Sequence, residues 1–342
     1  MSFEVVNTTY MPGLDFGEKL LEPLGANLIS GMWRTEEDLL ENAANADAVI
    51  CSGPSQSFTP RVLNAFSRCR ILASLGIGYD RIHLETATQM GIVVTNMPDY
   101  CLDEVSTHTI ALIMALCRGL FQIDREVRET QIHLVPMKRD NFKKFTYPVS
   151  RMRDQTLGII GFGRIGTSVA NKAKGLGMKI IAYDPYVLEG VMLSHDVTPV
   201  DLDTLLRESD YISINSSLNE ETRGMIGHEE FKKMKPSSYL INTARGGIVE
   251  QSALEEALKE GQITGAGLDV TGVEPIPKDS PLLKMPNVIL TGHSAWYSIT
   301  SDSESVFWSK AMVQVISALK GEWPTYAVNT EVKKLWLEKW GK

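Results

Sequence analysis

The sequence predicts an α/β fold in which doubly wound parallel sheets carry helices on both faces. Short apolar runs with strand character alternate with helical patterns along most of the chain, an order typical of parallel sheets. One such run, residues 157–160, is followed by glycines at positions 161, 163 and 166 and then by a helical pattern. The length of 342 residues favours about two domains of this kind.

The first part of the chain already shows this alternation. Strands are expected at residues 3–6, 48–51, 71–75 and 91–95. Helices are expected at 35–45, capped by Thr35, and at 60–66, where Pro60 suits a helix start. Residues 75–80 end a strand and contain two glycines, so exposed amides there can hold a small anion such as a carboxylate. An ordinary strand-to-helix turn is the alternative.

A long helix is expected over residues 99–120, with Gly119 marking its end. Its apolar side chains cover a broad face, which predicts burial against a domain or a second subunit. Six basic side chains lie among polar and aromatic residues in the segment 136–155: Lys138, Arg139, Lys143, Lys144, Arg151 and Arg153. A solvated loop and a binding patch both fit that segment.

The glycine run has the full context of a dinucleotide fingerprint. Gly161 permits the tight turn after the strand, Gly163 lets a pyrophosphate approach the backbone, and Gly166 lets the helix pack closely on the strand. The amides and dipole at the helix start would hold the phosphates. Asp184 ends the next strand, where an acid binds ribose hydroxyls and repels a 2′-phosphate, so NAD is favoured over NADP. A glycine turn without a ligand is the alternative.

The second half continues the same alternation. Strands are expected at 211–214, 238–242, 266–270 and 287–291, and helices at 202–208, 231–234 and 251–260. A last helix is expected at 301–319, with Phe307, Met312, Val315 and Ile316 on its buried side. Arg245, Glu274 and His293 each stand just beyond one of these strands. Because ligands of open parallel sheets bind at the carboxyl ends of the strands, these three side chains can converge.

Composition narrows the class of protein. The formal net charge of -8 argues against non-specific electrostatic binding to nucleic acid or to an anionic membrane. The four cysteines show neither a C-x-x-C pair nor metal-ligand spacing, so reduced thiols and no metal site are expected. The amino terminus lacks a signal-peptide pattern, and no apolar run has the length of a transmembrane helix. A cytoplasmic location is therefore expected.

Several strings resemble those of the D-isomer-specific 2-hydroxyacid dehydrogenases. They lie at 242–249, at 267–270 with Glu274-Pro275, and at 293–298, with support from 75–80, 97–104 and 183–186. The strings at 242–247 and 293–298 are most similar to the branch that holds the C-terminal binding protein corepressors.

The resemblance implies two Rossmann-like domains, with the NAD-binding domain inserted into the substrate-binding domain. We expect the NAD-binding domain at 102–298 and the substrate-binding domain at 1–101 and 299–342. The nicotinamide and the substrate would lie in the cleft between them. The family is usually dimeric, which implies a homodimer with the long helix after residue 100 in its interface.

The resemblance also implies an NAD-dependent oxidoreductase that transfers a hydride between nicotinamide and C2 of a D-2-hydroxy or 2-oxo acid. Arg245 would hold the carboxylate and the carbonyl of the substrate, because its planar fork suits two acceptors. His293 would act as the acid and base, with Glu274 bound to its other ring nitrogen and stabilising the imidazolium. An NAD(H)-sensing regulatory protein with little turnover, like the corepressors, is the alternative.

Further positions follow from the fingerprint and the resemblance. The amides of Ile77 and Gly78 would complete the carboxylate site, and Trp296 would line the substrate pocket or belong to the core. Cofactor contacts are expected at Gly161, Gly163, Arg164, Ile165, Gly166, Asp184, Thr222, Thr243, Asp269 and His293.

The chain departs from the family pattern in four places. Glu250 replaces the usual aspartate, which is a mild change. Gly292 replaces the usual proline before the histidine, so a looser loop is expected there. Residues 215–217 replace a histidine-containing string near the adenine end. Arg81 replaces the usual asparagine beside the carboxylate loop, where it either favours a second anionic group on the substrate or faces solvent.

Overall fold

The chain forms two compact units, one of which is discontinuous in sequence. The computed structural model describes residues 2–10, 17–52, 56–131, 149–298 and 303–342, with side chains from 309 onward in the last range. The first unit comprises Met1–Tyr100 and Ser298–Lys342, and the second comprises Cys101–Tyr297. Some sequence predictions lie outside the described residues: the basic residues Lys138, Arg139, Lys143 and Lys144, the helix start at 301–302 and the side chain of Phe307.

Each unit is built on a parallel sheet. In the first unit the strand order is β2-β1-β3-β4-β5, and in the second it is β12-β11-β10-β9-β6-β7-β8, with every named pair parallel. The strands are β1 (Glu4–Asn7), β2 (Asn27–Ser30), β3 (Ala48–Ser52), β4 (Ile71–Leu75), β5 (Val93–Thr95), β6 (Thr156–Ile160), β7 (Lys179–Tyr183), β8 (Thr198–Pro199), β9 (Tyr211–Ile214), β10 (Tyr239–Asn242), β11 (Gly265–Leu268) and β12 (Val288–Leu290). The predicted fold class is confirmed.

Helices connect successive strands and cover both faces of the sheets. They are α1 (Glu18–Leu21), α2 (Glu36–Asn42), α3 (Pro60–Ala65), α4 (Leu84–Gln89), α5 (Leu102–Arg118), α6 (Leu120–Thr130), α7 (Arg164–Gly175), α8 (Glu189–Ser194), α9 (Leu202–Glu208), α10 (His228–Lys233), α11 (Gln251–Glu260), α12 (Ser303–Leu319) and α13 (Lys333–Trp340). Thr35 caps α2 as predicted, since its side chain accepts a hydrogen bond from the Asp38 amide at 3.1 Å.

The central strand β6 shows why helices cover both faces of the second sheet. Leu157 and Ile159 belong to the core layer that contains Val169 of α7, whereas Ile160 belongs to the opposite layer with Leu205 of α9. Successive side chains of a strand point to opposite faces, so an apolar strand needs helices on both faces. Strand order reverses at β6, which lies between β7 and β9, and this creates a crevice at its carboxyl end.

The helix predicted over 99–120 is shorter than expected and is followed by a second one. It begins at Leu102 as α5, because Asp99 is held outside it by hydrogen bonds from Lys310 and Tyr326. Gly119 ends it in the left-handed conformation, with φ of 59°, as the sequence predicted. The unpredicted helix α6 then begins at Leu120, and the two are bent by 55°. Within the described residues no single helix is long and apolar enough to span a membrane, although this bent pair passes by length and composition alone.

We predict that Gly166→Ala destabilises the second unit, whereas Gly175→Ala in the same helix does not. A Cβ at position 166 would meet the carbonyl oxygen of Gly161 at 2.2 Å, but one at position 175 would meet nothing within 4 Å. Forcing a methyl group against backbone costs about 1–3 kcal/mol. Gly175→Ala is expected to raise the free energy of unfolding by less than about 1 kcal/mol. Urea denaturation of the two variants measures the difference, and equal midpoints would contradict the proposed close approach.

Candidate active site

The glycine run lies at the crevice beside the carboxyl end of β6. Gly161 adopts φ of 89°, and a Cβ there would meet the Ser216 amide nitrogen at 2.6 Å. Gly163 precedes the first turn of α7, and the space beside it is open, since a Cβ would meet nothing within 4 Å. Arg164 begins α7 and is exposed, while Ile165 is half-buried. Open space beside backbone amides at a helix start fits the pyrophosphate of a dinucleotide.

Asp184 follows β7 and joins the glycine run to that strand. One carboxylate oxygen accepts a hydrogen bond from the Phe162 amide at 2.8 Å, and the other accepts one from the Tyr186 amide at 2.9 Å. A carboxylate oxygen can accept more than one hydrogen bond. Asp184 therefore keeps the capacity to accept from ribose hydroxyls, as the sequence analysis requires.

The loop after β9 holds buried polar atoms that need a partner. Asn215 donates through Nδ2 to the Ser213 carbonyl at 3.2 Å, so its other side-chain atom is the oxygen. Asn215 Oδ1 and Ser216 Oγ are buried and have no hydrogen-bond partner within the described residues. Buried polar atoms are seldom left unpaired, and these two lie beside the glycine run, so they fit a dinucleotide or an ordered water. Thr222 stabilises the same loop by donating to the Ser217 carbonyl at 2.6 Å.

Arg245 stands in the loop after β10, which is shaped by Asn242. The Asn242 side chain accepts from the Ala244 amide at 3.0 Å and donates to the Arg245 carbonyl at 2.9 Å. The Arg245 guanidinium donates to the Ala244 carbonyl at 2.8 Å. At Gly246 the chain passes so close to the next loop that a Cβ would lie 2.0 Å from the Thr271 carbonyl oxygen. The loops after β10 and β11 are therefore in direct contact.

Glu274 and His293 form a hydrogen-bonded pair. His293 Nδ1 lies 2.7 Å from Glu274 Oε2, and the side chains are 28% and 36% exposed, respectively. Burial alone would raise the pKa of Glu274, but the hydrogen bond and charge of His293, the Thr271 amide and the charge of Arg245 together lower it below its ordinary value. Glu274 is therefore an anion that accepts a hydrogen bond from the N–H at Nδ1. His293 Nε2 is left as the nitrogen that can exchange a proton.

The loop that carries His293 is fixed by Asp269, which is only 2% exposed. The Asp269 carboxylate accepts hydrogen bonds from the Ser294 amide at 2.9 Å, the Ala295 amide at 3.1 Å and the Thr291 hydroxyl at 2.6 Å. Its carbonyl oxygen accepts from the His293 amide at 2.5 Å. The sequence predicts Asp269 only as a cofactor contact, and its hydrogen bonds to the His293 loop are an additional finding of the structure.

Two further polar contacts support the same region. Thr291 uses its hydroxyl proton toward Asp269, so it accepts from His108 Nε2, which lies 2.9 Å away. Thr243 is 8% exposed, and its hydroxyl lies 2.8 Å from that of Thr109. His108 was not predicted as part of the site, because it lies within the long helix α5 and outside the matching strings.

The remaining predicted residues fall into two groups. Trp296 lies on the His293 loop, is 37% exposed and packs edge-on against Tyr297 with ring centroids 5.8 Å apart. Ile77 and Gly78 belong to the other unit, where they follow β4, and their backbone N–H groups donate to no acceptor within the described parts of the chain. Arg81, in the same unit, is exposed.

Known proteins share this sequence and fold. The model of the NAD-binding domain of the D-isomer specific 2-hydroxyacid dehydrogenases matches residues 110–295. The chain is 39% identical over 311 residues to a glyoxylate reductase of Korarchaeum cryptofilum, covering 89% of this chain and 90% of that protein. It is 38% identical over 268 residues to a glycerate dehydrogenase of Methylorubrum extorquens, covering 77% and 80%.

A solved structure agrees with these sequence matches. The NAD-complexed D-isomer specific 2-hydroxyacid dehydrogenase of Lactobacillus delbrueckii ssp. bulgaricus is 27% identical, with a TM-score of 0.71 over 95% of this chain and 99% of that one. The glycine run, Arg245 and Glu274 with His293 all lie in the matched region. The chain therefore belongs to the D-isomer-specific 2-hydroxyacid dehydrogenase family, and its second unit carries the NAD-binding domain.

Proposed function

We propose that the chain reduces a small 2-oxo acid to the D-2-hydroxy acid, with Arg245, Glu274 and His293 as its catalytic residues. The observation that carries this proposal is the 2.7 Å contact between His293 and Glu274, in the unit that holds the dinucleotide fingerprint. A partly exposed imidazole that is oriented by a carboxylate suits proton exchange with a substrate.

The chain's own groups have separate roles in this reaction. The nicotinamide, when bound, supplies the hydride chemistry at C2 of the substrate. His293 gives a proton from Nε2 to the carbonyl oxygen in reduction and takes it back in oxidation. Glu274 keeps the ring oriented through Nδ1 and stabilises the imidazolium. Arg245 binds the substrate carboxylate and polarises the carbonyl, since a guanidinium can donate to two acceptors at once.

The substrate is proposed to be small. The relatives named above are a glyoxylate reductase and a glycerate dehydrogenase, which act on short acids. The unpaired amides of Ile77 and Gly78 support a second contact to the substrate carboxylate. Trp296 is proposed to line the pocket. Arg81 leaves two possibilities, a substrate with a second anionic group or a solvent-facing side chain.

NADH is proposed as the preferred cofactor. Asp184 is proposed to bind the ribose hydroxyls, and its negative charge would repel the 2′-phosphate of NADP. Tyr186 links Asp184 to a second carboxylate, because it donates its backbone N–H to Asp184 and its hydroxyl to Glu221. The proposed contacts to the cofactor otherwise comprise Gly161, Gly163, Arg164, Ile165, Gly166, Thr222, Thr243, Asp269 and His293.

A homodimer in the cytoplasm is proposed for the assembly and its location. Large apolar side chains on α5 and α6 are exposed in the single chain: Met114 40%, Leu120 54%, Phe121 56% and Val127 39%. Apolar groups clustered on one helix pair favour burial against a second copy. The four cysteines are buried thiols, which favours a reducing compartment: Cys51, Cys69, Cys101 and Cys117.

The alternative is an NAD(H)-sensing regulatory protein with little turnover. The strings at 242–247 and 293–298, which resemble those of the C-terminal binding protein corepressors, favour it. The distinction is kinetic, since both proteins would bind NADH. A change of oligomeric state with NADH, without measurable turnover, would support the regulatory alternative.

A panel of 2-oxo acids with NADH tests the proposed function. We expect turnover of glyoxylate or of the 2-oxo acid that corresponds to glycerate. The decrease in NADH absorbance measures the rate. Arg245→Ala should lower kcat/KM by about 100-fold or more, because a charged hydrogen-bonding partner of the substrate is lost. Arg207→Ala removes an exposed arginine that lies 3.8 Å from Asp203, and it should leave the rate unchanged. Folded protein that binds NADH but turns over no member of the panel would contradict the proposal.

Glu274→Gln should lower kcat for reduction by about 10- to 100-fold. The carboxylate is ionised above its lowered pKa, so at neutral pH it stabilises the protonated imidazole, and glutamine removes that charge. The alkaline limb of the reduction profile should therefore move to lower pH. Glu256→Gln is the matched control, since Glu256 lies 3.6 Å from a different histidine, His228. An unchanged pH profile for Glu274→Gln would contradict the role assigned to the pair.

Asp184→Ser should lower kcat/KM with NADH and raise kcat/KM with NADPH. Serine replaces the charged, two-oxygen acceptor for the ribose hydroxyls by a weaker neutral one and removes the repulsion of a 2′-phosphate, so the ratio of kcat/KM for NADH over NADPH should fall by about tenfold or more. Asp203→Ser is a control, because Asp203 lies on the neighbouring α9 and pairs with Lys233 at 2.7 Å. Measuring both cofactors side by side decides the point, and an unchanged ratio would remove Asp184 as the determinant.

A further inference from the structure

The loop after β4 has two successive carbonyl groups anchored from one side. The Gly76 carbonyl accepts a hydrogen bond from the Met97 amide at 2.8 Å. The Ile77 carbonyl accepts one from Asn96 Nδ2, also at 2.8 Å. Both donors come from the segment just after β5, where Asn96 is 8% exposed and Met97 is 1% exposed. The anchors are therefore part of the buried framework of the first unit.

These anchors fix the direction of two N–H groups. In a trans peptide the carbonyl and the following N–H point in opposite directions. The Gly76 carbonyl therefore sets the N–H of Ile77, and the Ile77 carbonyl sets the N–H of Gly78. Both N–H groups point away from the segment after β5, and neither finds an acceptor among the described residues. Two adjacent amides that face the same side form a concave site for an anion.

We infer that Asn96 is a positioning residue for the substrate carboxylate, acting through the peptide between Ile77 and Gly78. The inference rests on the proposed function, in which these two amides bind that carboxylate. The atom facing the loop is the amide nitrogen, because its partner is a carbonyl oxygen and only the nitrogen can donate. Among the described residues, the peptide before Ile77 is held by a backbone donor, whereas the peptide before Gly78 is held by the Asn96 side chain.

Ser74 supports the same loop but acts one peptide later. Its hydroxyl donates to the Gly78 carbonyl at 3.2 Å, and the residue is 1% exposed. By the same geometry it directs the N–H of Tyr79. The Gly78 N–H is left to Asn96, so loss of the asparagine side chain frees the peptide to rotate away from the anion.

The test compares Asn96→Ala and Asn96→Asp with Asn329→Ala. Asn329 is a matched control because it is an asparagine of the same unit, 1% exposed, that accepts from the Val94 amide at 2.8 Å and donates to the Ile92 carbonyl at 3.0 Å. It therefore braces β5 without contacting the loop. Removing it should lower the urea midpoint and leave the KM for the 2-oxo acid unchanged.

Asn96→Ala should raise the KM for the 2-oxo acid by about tenfold, which corresponds to ~1.4 kcal/mol of lost binding. The KM for NADH and kcat should stay within about twofold, since the variant alters a group that holds the substrate equally in ground and transition states. Asn96→Asp should raise this KM further, because an ionised carboxylate cannot donate a hydrogen bond and would face the oxygen of the Ile77 carbonyl. Oxalate, a dicarboxylate that cannot be reduced in this way, provides an independent binding measurement by calorimetry in the presence of NADH.

The outcomes separate this inference from the proposed function. If the enzyme is active, two results overturn the positioning role. One is that Asn96→Ala leaves both the KM for the 2-oxo acid and the affinity for oxalate unchanged. The other is that Asn329→Ala changes these two quantities as much as Asn96→Ala does. A wild-type protein that binds NADH but reduces no 2-oxo acid overturns the proposed function. The positioning role is then decided by oxalate alone: weaker binding in Asn96→Ala than in Asn329→Ala supports it, and equal binding overturns it.

Discussion

The parallel alignment of the strands is the constraint on which the candidate site depends. Because every strand of the seven-stranded sheet runs the same way, the loops after β6, β7, β9, β10, β11 and β12 all leave it at one edge. The glycine run, Arg245, Glu274 and His293 are far apart in sequence, but each follows one of these strands. A sheet with antiparallel strands would send alternate loops to the opposite edge and divide the same residues between two sites.

A second regularity is that short polar side chains at strand ends hold these loops. Asp184 holds the glycine run, Asn242 shapes the Arg245 turn and Asp269 holds the His293 loop. In the other unit Asn96 holds the turn after β4, and Asn7 accepts from the Thr9 amide at 3.0 Å after β1. A loop that leaves a buried sheet carries backbone groups that must be paired, and a short carboxylate or amide reaches them without leaving the strand end. The functional groups can then project outward while the backbone beneath them is satisfied.

Sequence reasoning recovered what depends on local pattern. The bounds of α9, β9 and α11 agree with those predicted, and the fold class follows from the same alternation. The polar, half-exposed strand β2 and helix α8 were missed, since neither has a clear apolar period. The contacts of Asp269 and Asn96 were missed for a different reason: their partners lie about 20 residues away in sequence, and only the folded chain brings them together.

The loop before His293 shows how a departure from the family pattern can be accommodated. Gly292 and His293 both lie in the left-handed region, with φ of 61° and 60°. Proline cannot adopt that conformation, so a chain with proline at position 292 must shape this loop differently. Left-handed backbone is unfavourable for a histidine, and it persists only where surrounding contacts fix it. The four hydrogen bonds accepted by Asp269 supply those contacts here. Gly292 thus allows the left-handed conformation, and the hydrogen bonds to the buried Asp269 fix it. The imidazole of His293 is thereby held against Glu274.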